Sequence, residues 1–352
     1  MKNLTLPLLA LILLSACTSP VTNESSRWVA PVQDTAELTL DFYDNEPTFD
    51  LATEGYIEVT GEVTAPGRVS LTDFPLRSLI VKETWVDQDE VRFTGAYRYD
   101  GVSLADLLNG FVLQKKNQEE FPPVIDLYVV VHGSQGDSAV ISWGELYYPV
   151  HRNEIIIATR VMRIVPSKTK DLWPLPEASR LVVGSDLITL RNLSQPVRIE
   201  VKSVGISYAI NRDIEMWSPE MKILSGETLL QTLGRLPAGI EQQTFDQVFY
   251  GRGKGIHGTT PFRGALLKDL LKPDFPVSPD HIRSGLFVFA AVDGYRTAVT
   301  WSEIFNRNDR ADLFIIDENN YENAGRFSCL FAADFFSDRA VKSMTEIRFI
   351  QP

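Results

Sequence analysis

The sequence predicts an α+β protein made of two tandem copies of one unit, and three observations predict it. Residues 93–109, FTGAYRYDGVSLADLLN, return at 256–272 as IHGTTPFRGALLKDLLK after a shift of 163 positions. Gly95 falls on Gly258, Gly101 on Gly264, Leu104 on Leu267, and Asp106-Leu107-Leu108 on Asp269-Leu270-Leu271. The match then continues in the same order: Trp143 falls on Trp301, Glu145 on Glu303, and Arg191 on Arg339 within the equally long stretches 186–199 and 334–347. Finally, each copy mixes short alternating runs with short helical stripes and lacks regular βαβ alternation, which reads as α+β rather than a doubly wound sheet. The copies cover roughly 56–203 and 222–350.

Residues 1–16 read as a secretory signal: Lys2 opens it, and the apolar run 4–14 is shorter than the ~20 residues a spanning helix needs. Leu14-Ser15-Ala16-Cys17 resembles a bacterial lipobox, which makes Cys17 the expected lipidated first residue, carrying acyl chains such as palmitate. Thr18 in place of an aspartate resembles the pattern for outer-membrane delivery. The expected place is therefore the cell envelope, on the outer membrane facing the periplasm. The polar stretch 17–45 reads as a tether, with 38–43 as a candidate edge strand. A first domain is expected at 46–205, a linker at 206–221 and a second domain at 222–352.

Within the first copy, Tyr56-Ile57-Glu58-Val59-Thr60 alternates as a strand, and 70–73 reads as a short helix or turn. Leu79-Ile80-Val81 and Val91-Arg92-Phe93 are further strands. The repeated motif itself reads as an extended piece, a glycine turn and one amphipathic helix, with Leu104, Leu107 and Leu108 as its core stripe. The apolar run 124–131 reads as a strand buried on both faces. Ser142-Trp143-Gly144-Glu145 and Thr300-Trp301-Ser302-Glu303 read as capped helix starts. In the linker, Ile206 and Tyr208 could extend a strand.

Composition is that of a globular chain, with 44% apolar and 23% charged residues. A formal net charge of −12 argues against a sequence-independent nucleic-acid binder. The only cysteines are Cys17 and Cys329, so with Cys17 acylated no internal disulfide forms. Cys329, in the apolar run Phe327-Ser328-Cys329-Leu330-Phe331, reads as a buried thiol.

Several blocks carry a family resemblance. They are Gly61-Glu62-Val63-Thr64-Ala65-Pro66-Gly67, Tyr99-Asp100-Gly101-Val102-Ser103-Leu104-Ala105-Asp106-Leu107-Leu108, Arg180-Leu181-Val182-Val183 and Val197-Arg198-Ile199-Glu200-Val201. Together with 262–271 and 292–295 of the second copy, they resemble the oxidoreductase molybdopterin-binding domain of the sulfite-oxidase type. The resemblance implies two tandem sulfite-oxidase-type, molybdopterin-binding-like domains with mixed sheets and short helices. It also implies a cysteine thiolate ligand to molybdenum just upstream of each repeated motif. Neither 80–86 nor 243–249 holds a cysteine, so no residue here takes that role, and the copies are expected to be degenerate.

The richest remaining constellation is Tyr250-Gly251-Arg252-Gly253-Lys254-Gly255-Ile256-His257-Gly258. Glycines that let backbone approach, interleaved with cations, favour an anion. It is neither a P-loop nor a dinucleotide fingerprint, and the plain alternative is a solvated hairpin. The first copy is acidic nearby, at 87–90. Arg252, Lys254, His257, Arg263, Asp293 and Arg296 are the expected anion- or cofactor-binding residues. Of the four histidines, none has metal-site spacing, and there is no GxSxG elbow; no catalytic or metal residue is expected. Glu83, Asp87 and Asp89 read as a solvated acidic face.

The expected function is that of a lipid-anchored periplasmic binding or assembly protein, non-catalytic, binding an anionic small molecule in the second domain or an envelope protein. The expected contact with the membrane is through Cys17, no nucleic acid is expected, and no cofactor is expected. The alternative is a molybdopterin-dependent oxidoreductase without the cysteine ligand, holding the pterin phosphate through Arg252, Lys254, His257 and Arg263.

Overall fold

A computed structural model describes residues 41–87, 90–259, 261–317 and 325–352, with the side chain of residue 87 left aside. The signal, Cys17 and most of the 17–45 tether lie outside them; the described part of the candidate edge strand, 41–43, is not strand. Among the described residues no helix is long and apolar enough to cross a membrane.

The first half runs β1 (Thr48–Asp50), β2 (Tyr56–Gly61), β3 (Gly67–Ser70), β4 (Leu76–Asp87), β5 (Glu90–Ser103), α1 (Leu104–Leu108), β6 (Leu127–Gly133), β7 (Ser138–Ser142), α2 (Trp143–Tyr147), β8 (Ile155–Arg163), β9 (Arg180–Val183) and β10 (Pro196–Ser203). The second runs β11 (Met221–Ser225), β12 (Thr228–Leu233), β13 (Gln242–Asp246), β14 (Phe249–Gly251), β15 (Gly255–Gly258), β16 (Pro261–Leu266), α3 (Leu267–Leu271), α4 (Pro279–Ser284), β17 (Leu286–Ala291), β18 (Arg296–Thr300), α5 (Trp301–Phe305), β19 (Leu313–Asp317), β20 (Phe327–Phe331) and β21 (Met344–Ile350).

These strands build four main sheets. One orders β1-β8-β5-β4 with β9 on β8, and the next β3-β2-β10-β6-β7; their counterparts order β13-β16-β19-β20 and β12-β11-β21-β17-β18. The arrangement is four-bladed and propeller-like, with the blades of each half interleaved along the chain. Within the second and fourth of these, β10 pairs β2, and β21 pairs β11, in parallel. β14 and β15 form a separate two-stranded ribbon.

This corrects the α+β, sulfite-oxidase-type expectation: among the described residues 46% are strand against 12% helix, and every described α-helix spans five or six residues. The leucine stripe of the repeated motif is helical and buried, as expected, but it lasts little more than one turn. With the fold expectation goes the ground for a molybdopterin site. The glycine turn is also corrected. Gly101 lies inside β5 and Gly264 inside β16. A Cβ at Gly101 would meet the Ile157 carbonyl oxygen at 2.2 Å, and one at Gly264 the Ile315 oxygen at 2.6 Å. Glycine is required there because the neighbouring strand passes close, not because the chain turns.

Other local expectations hold. The apolar run 124–131 is strand only from Leu127, where β6 is buried along nearly its whole length; Val124–Asp126 is a turn of 3-10 helix instead. Ser142 and Thr300 cap α2 and α5, each with a reciprocal capping box from Glu145 or Glu303. Residues 206–210 form no strand; instead Ile206 and Tyr208 pack on the layer between the halves.

That layer joins Tyr128, Val130 and Val140 of the first half to Leu286, Val288 and Ala298 of the second. Around it the halves repeat one another's contacts. Leu187 N donates to the Asn306 oxygen at 2.7 Å, and Phe335 N donates to the Tyr148 oxygen at 2.8 Å. Ile188 enters the second core, while Phe336 packs with Phe121, Ile125 and Tyr148 of the first half. The chain thus contains an isologous interface of the kind seen in two-fold dimers.

Candidate functional site

Two polar constellations stand out, one buried between the halves and one opening to solvent from the second half. In the buried one, Arg191 binds Asp186 at 2.7 Å and Glu145 at 2.9 Å, while Arg339 binds Asp334 at 2.7 Å and Glu303 at 2.6 Å. The two triads are linked crosswise: Ser142 Oγ donates to Glu303 at 2.6 Å, and Thr300 Oγ1 donates to Glu145 at 3.3 Å. Burial, opposed by Arg191 and reinforced by the charge of Glu303, pushes Glu145 up to about 7. Burial also pushes Glu303 upward, but Arg339 and the hydrogen bonds from Ser142 and Thr300 outweigh it, leaving that carboxyl below its ordinary range. Every charge here is spent on another charge of the same chain. This is a structural seam.

The open constellation is a recess under the β14–β15 ribbon. It is lined by Phe249, Phe262, Ser328, Cys329, Leu330, Ala340 and Lys342. The recess as a whole has ≈ 10 Å³ of room, enough for about one water. Cys329 forms its floor. Its sulfur accepts a hydrogen bond from Val341 N at 3.3 Å, and burial pushes the thiol up to about 12, so it stays protonated and unreactive. The expectation of a buried, inert thiol holds.

Lys342 stands at the recess half-buried, with its ammonium 5.9 Å from the centre of the Phe249 ring. It has no carboxylate partner among the described residues. Burial, and then the nearby charge of Lys254, push its pKa down. His257 packs edge-on against Phe249 at 5.4 Å, its ring so close over Gly251 that a Cβ there would meet Nε2 at 2.7 Å. The ribbon is pinned. Tyr250 N donates to Ser337 Oγ at 3.1 Å, Arg252 N to Asp338 Oδ1 at 3.3 Å, and Arg252 Nε pairs with Asp338 Oδ2 at 3.2 Å.

The expected site residues are therefore partly gathered and partly scattered. Arg252, Lys254 and His257 share the ribbon. Arg263 is exposed on β16, next to Phe262; strand alternation turns it to the face away from the recess. Asp293 sits in the β17–β18 turn and accepts from Tyr295 N at 2.9 Å. Arg296 is fully buried between the halves, binding Glu120 at 2.9 Å and Asp126 at 3.3 Å and lying over Phe121 at 4.5 Å. Lys342 was missed. It lies inside the second of the two matched stretches, opposite Ser194, and that polar-to-cationic difference was the available signal. Glu83 is a correction of the opposite kind: it is buried, not solvated, and bonds Tyr99 at 3.1 Å, Asn192 at 3.1 Å and Arg180 at 3.1 Å. Asp89 and the side chain of Asp87 lie outside the description. Among the described residues, no group of three or more histidine, cysteine, aspartate or glutamate side chains is arranged to hold a metal ion.

No protein-family model matches the chain, and neither a curated protein nor a solved structure matches it.

Proposed function

We propose that this chain is a lipid-anchored binding or assembly protein of the bacterial cell envelope, non-catalytic, which holds an anionic ligand at the recess of its second half. The observation that carries the anion reading is Lys342, a half-buried cation that feels the charge of Lys254 and has no carboxylate partner among the described residues. A half-buried cation near an aromatic ring, with a like charge nearby, favours a bound anion, because the anion relieves the repulsion and offsets the desolvation of Lys342. A non-catalytic role is supported by the protonated Cys329 and by buried acids committed to internal arginines. Anchorage rests on Leu14-Ser15-Ala16-Cys17, and delivery to the outer membrane, facing the periplasm, on Thr18.

The anion reading is tested by thermal unfolding of the mature protein in rising phosphate or sulfate at constant ionic strength. A rise in Tm that Lys342→Met abolishes supports it; an equal response of both proteins refutes it. Anchorage is tested by labelling cells with a palmitate analogue. Label and membrane retention that vanish in Cys17→Ala support it, and unchanged retention refutes it.

A further inference from the structure

The first half carries an element that the second does not repeat among the described residues: β1, which lies on β8. β1 and the turn after it wall a cleft of ≈ 370 Å³, within the range of about 300–1,000 Å³ that small-molecule sites occupy. Its floor is apolar, made by buried Leu51 and Leu71, half-buried Phe74 and the exposed Leu76. Its wall is pinned. Leu51 N donates to the Thr159 oxygen and Leu71 N to the Gly55 oxygen, both at 2.8 Å, and Ala52 N donates to the Glu177 oxygen at 2.9 Å. At the rim stand Asp50 and Arg160, directly opposite each other across β1 and β8. Arg160 Nε pairs with Asp50 Oδ1 at 3.0 Å, and the two side chains are 51% and 85% exposed. Such an exposed pair adds little to stability. It leaves both terminal nitrogens of Arg160 and Asp50 Oδ2 without a partner among the described residues. β8 bulges here: Asp100 faces Arg160 and Gly101 faces Ala158, so Thr159 is the extra residue. A bulge re-aims a side chain, and Thr159 lines the cleft.

We propose that this cleft binds a free α-amino acid with an apolar side chain, of the leucine type. The ligand's ammonium pairs with Asp50 Oδ2 and its carboxylate with the terminal nitrogens of Arg160. Its side chain covers the floor of Leu51, Leu71, Phe74 and Leu76. Charge separation argues for a single amino acid. Asp50 and Arg160 are in contact at 3.0 Å, which suits a ligand carrying both charges on one carbon. A dipeptide spreads its ends over two Cα atoms about 3.8 Å apart and more. Composition argues for an apolar side chain, because a bare zwitterion would leave the floor wet. The cleft belongs to the first half and shares no residue with the recess of the second, so the two sites stand or fall separately.

Calorimetric titration of the mature protein with leucine, glycine, 4-methylpentanoate, 3-methylbutylamine and leucylleucine tests this. Leucine is expected to bind about tenfold or more tightly than glycine, as burial of its side chain predicts. The acid and the amine, each lacking one charge, should bind about fivefold more weakly than leucine. Both rim side chains are exposed, so their variants should fold. Asp50→Asn should erase the advantage of leucine over the acid, and Arg160→Met its advantage over the amine. Leu76→Ser, on the floor at an exposed position, should narrow the gap between leucine and glycine. Equal affinity for leucine and glycine would overturn the apolar side chain. Leucine binding no better than the acid or the amine, or unchanged binding in both rim variants, would overturn the zwitterion. Leucylleucine binding as tightly as leucine would overturn the single amino acid, and no binding of any of the five would overturn the site.

Discussion

The two halves keep one centre and differ at one periphery. At the seam, Arg191 with Asp186 and Glu145 repeats Arg339 with Asp334 and Glu303 almost atom for atom. Away from it, Glu83 and its partners close the first half, while the second keeps a recess with room for about one water beside Lys342. The seam is constrained because each half's capping hydroxyl also donates to the other half's glutamate, Ser142 to Glu303 and Thr300 to Glu145, so a change on one side is felt on both. The periphery belongs to one half alone and is free to diverge.

The largest test strikes the shared centre. Arg191→Met and Arg339→Met each strand two fully buried carboxylates and should each cost about 3–5 kcal/mol in denaturant unfolding. Similar losses would show that the pseudo-symmetry is energetic as well as geometric; a loss under about 1 kcal/mol for either would break that equivalence. Next is the filled periphery. Glu83→Ala leaves Arg180 unpaired and two donors, from Tyr99 and Asn192, without an acceptor, and should cost about 1–3 kcal/mol. Because Arg180 is partly exposed, at 23%, this loss should fall below that at the seam.

The third test uses pH. The folded pKa of Glu145 lies above its unfolded value, so its contribution to stability is fully present below about pH 4.3 and is lost as pH rises through about 7. Stability should therefore fall between about pH 4.3 and about pH 7 by up to about 1.4 kcal/mol per pH unit from this proton. Glu145→Gln should flatten that slope; an unchanged profile would mean that the pH dependence comes from another group. The smallest effect is at the open periphery. Without ligand, Lys342→Met should raise stability by roughly 0.5–1 kcal/mol by removing a half-desolvated charge. A loss instead would mean that Lys342 supports the fold rather than a ligand.

Much of the organisation was legible in the chain. The internal repeat located both halves. Ser142-x-x-Glu145 and Thr300-x-x-Glu303 announced both capped turns, whereas the matched arginines at 191 and 339 told only of the repeat and not of the seam they form. The fold class was misread because a leucine stripe has the same period in one turn of helix as in four. Gly101 was misread because a glycine in a turn and a glycine under a crossing strand look alike in sequence. Arg296 looked like a ligand for an anion beside Asp293, yet its partners, Glu120 and Asp126, come from the other half, about 170 residues away.

By itself, the sequence determined the duplication, the local caps, the apolar strands and the basic glycine ribbon, because these depend on residues close along the chain or on the chain's likeness to itself. Only the tertiary structure decided which charges are spent and which are free. Arg296 and Glu83 proved neutralised by partners far away in sequence, while Lys342, undistinguished in the chain, has no carboxylate partner among the described residues. Whether an ionisable group is available for a ligand depends on desolvation and on distant countercharges, and those exist only once the strands have packed.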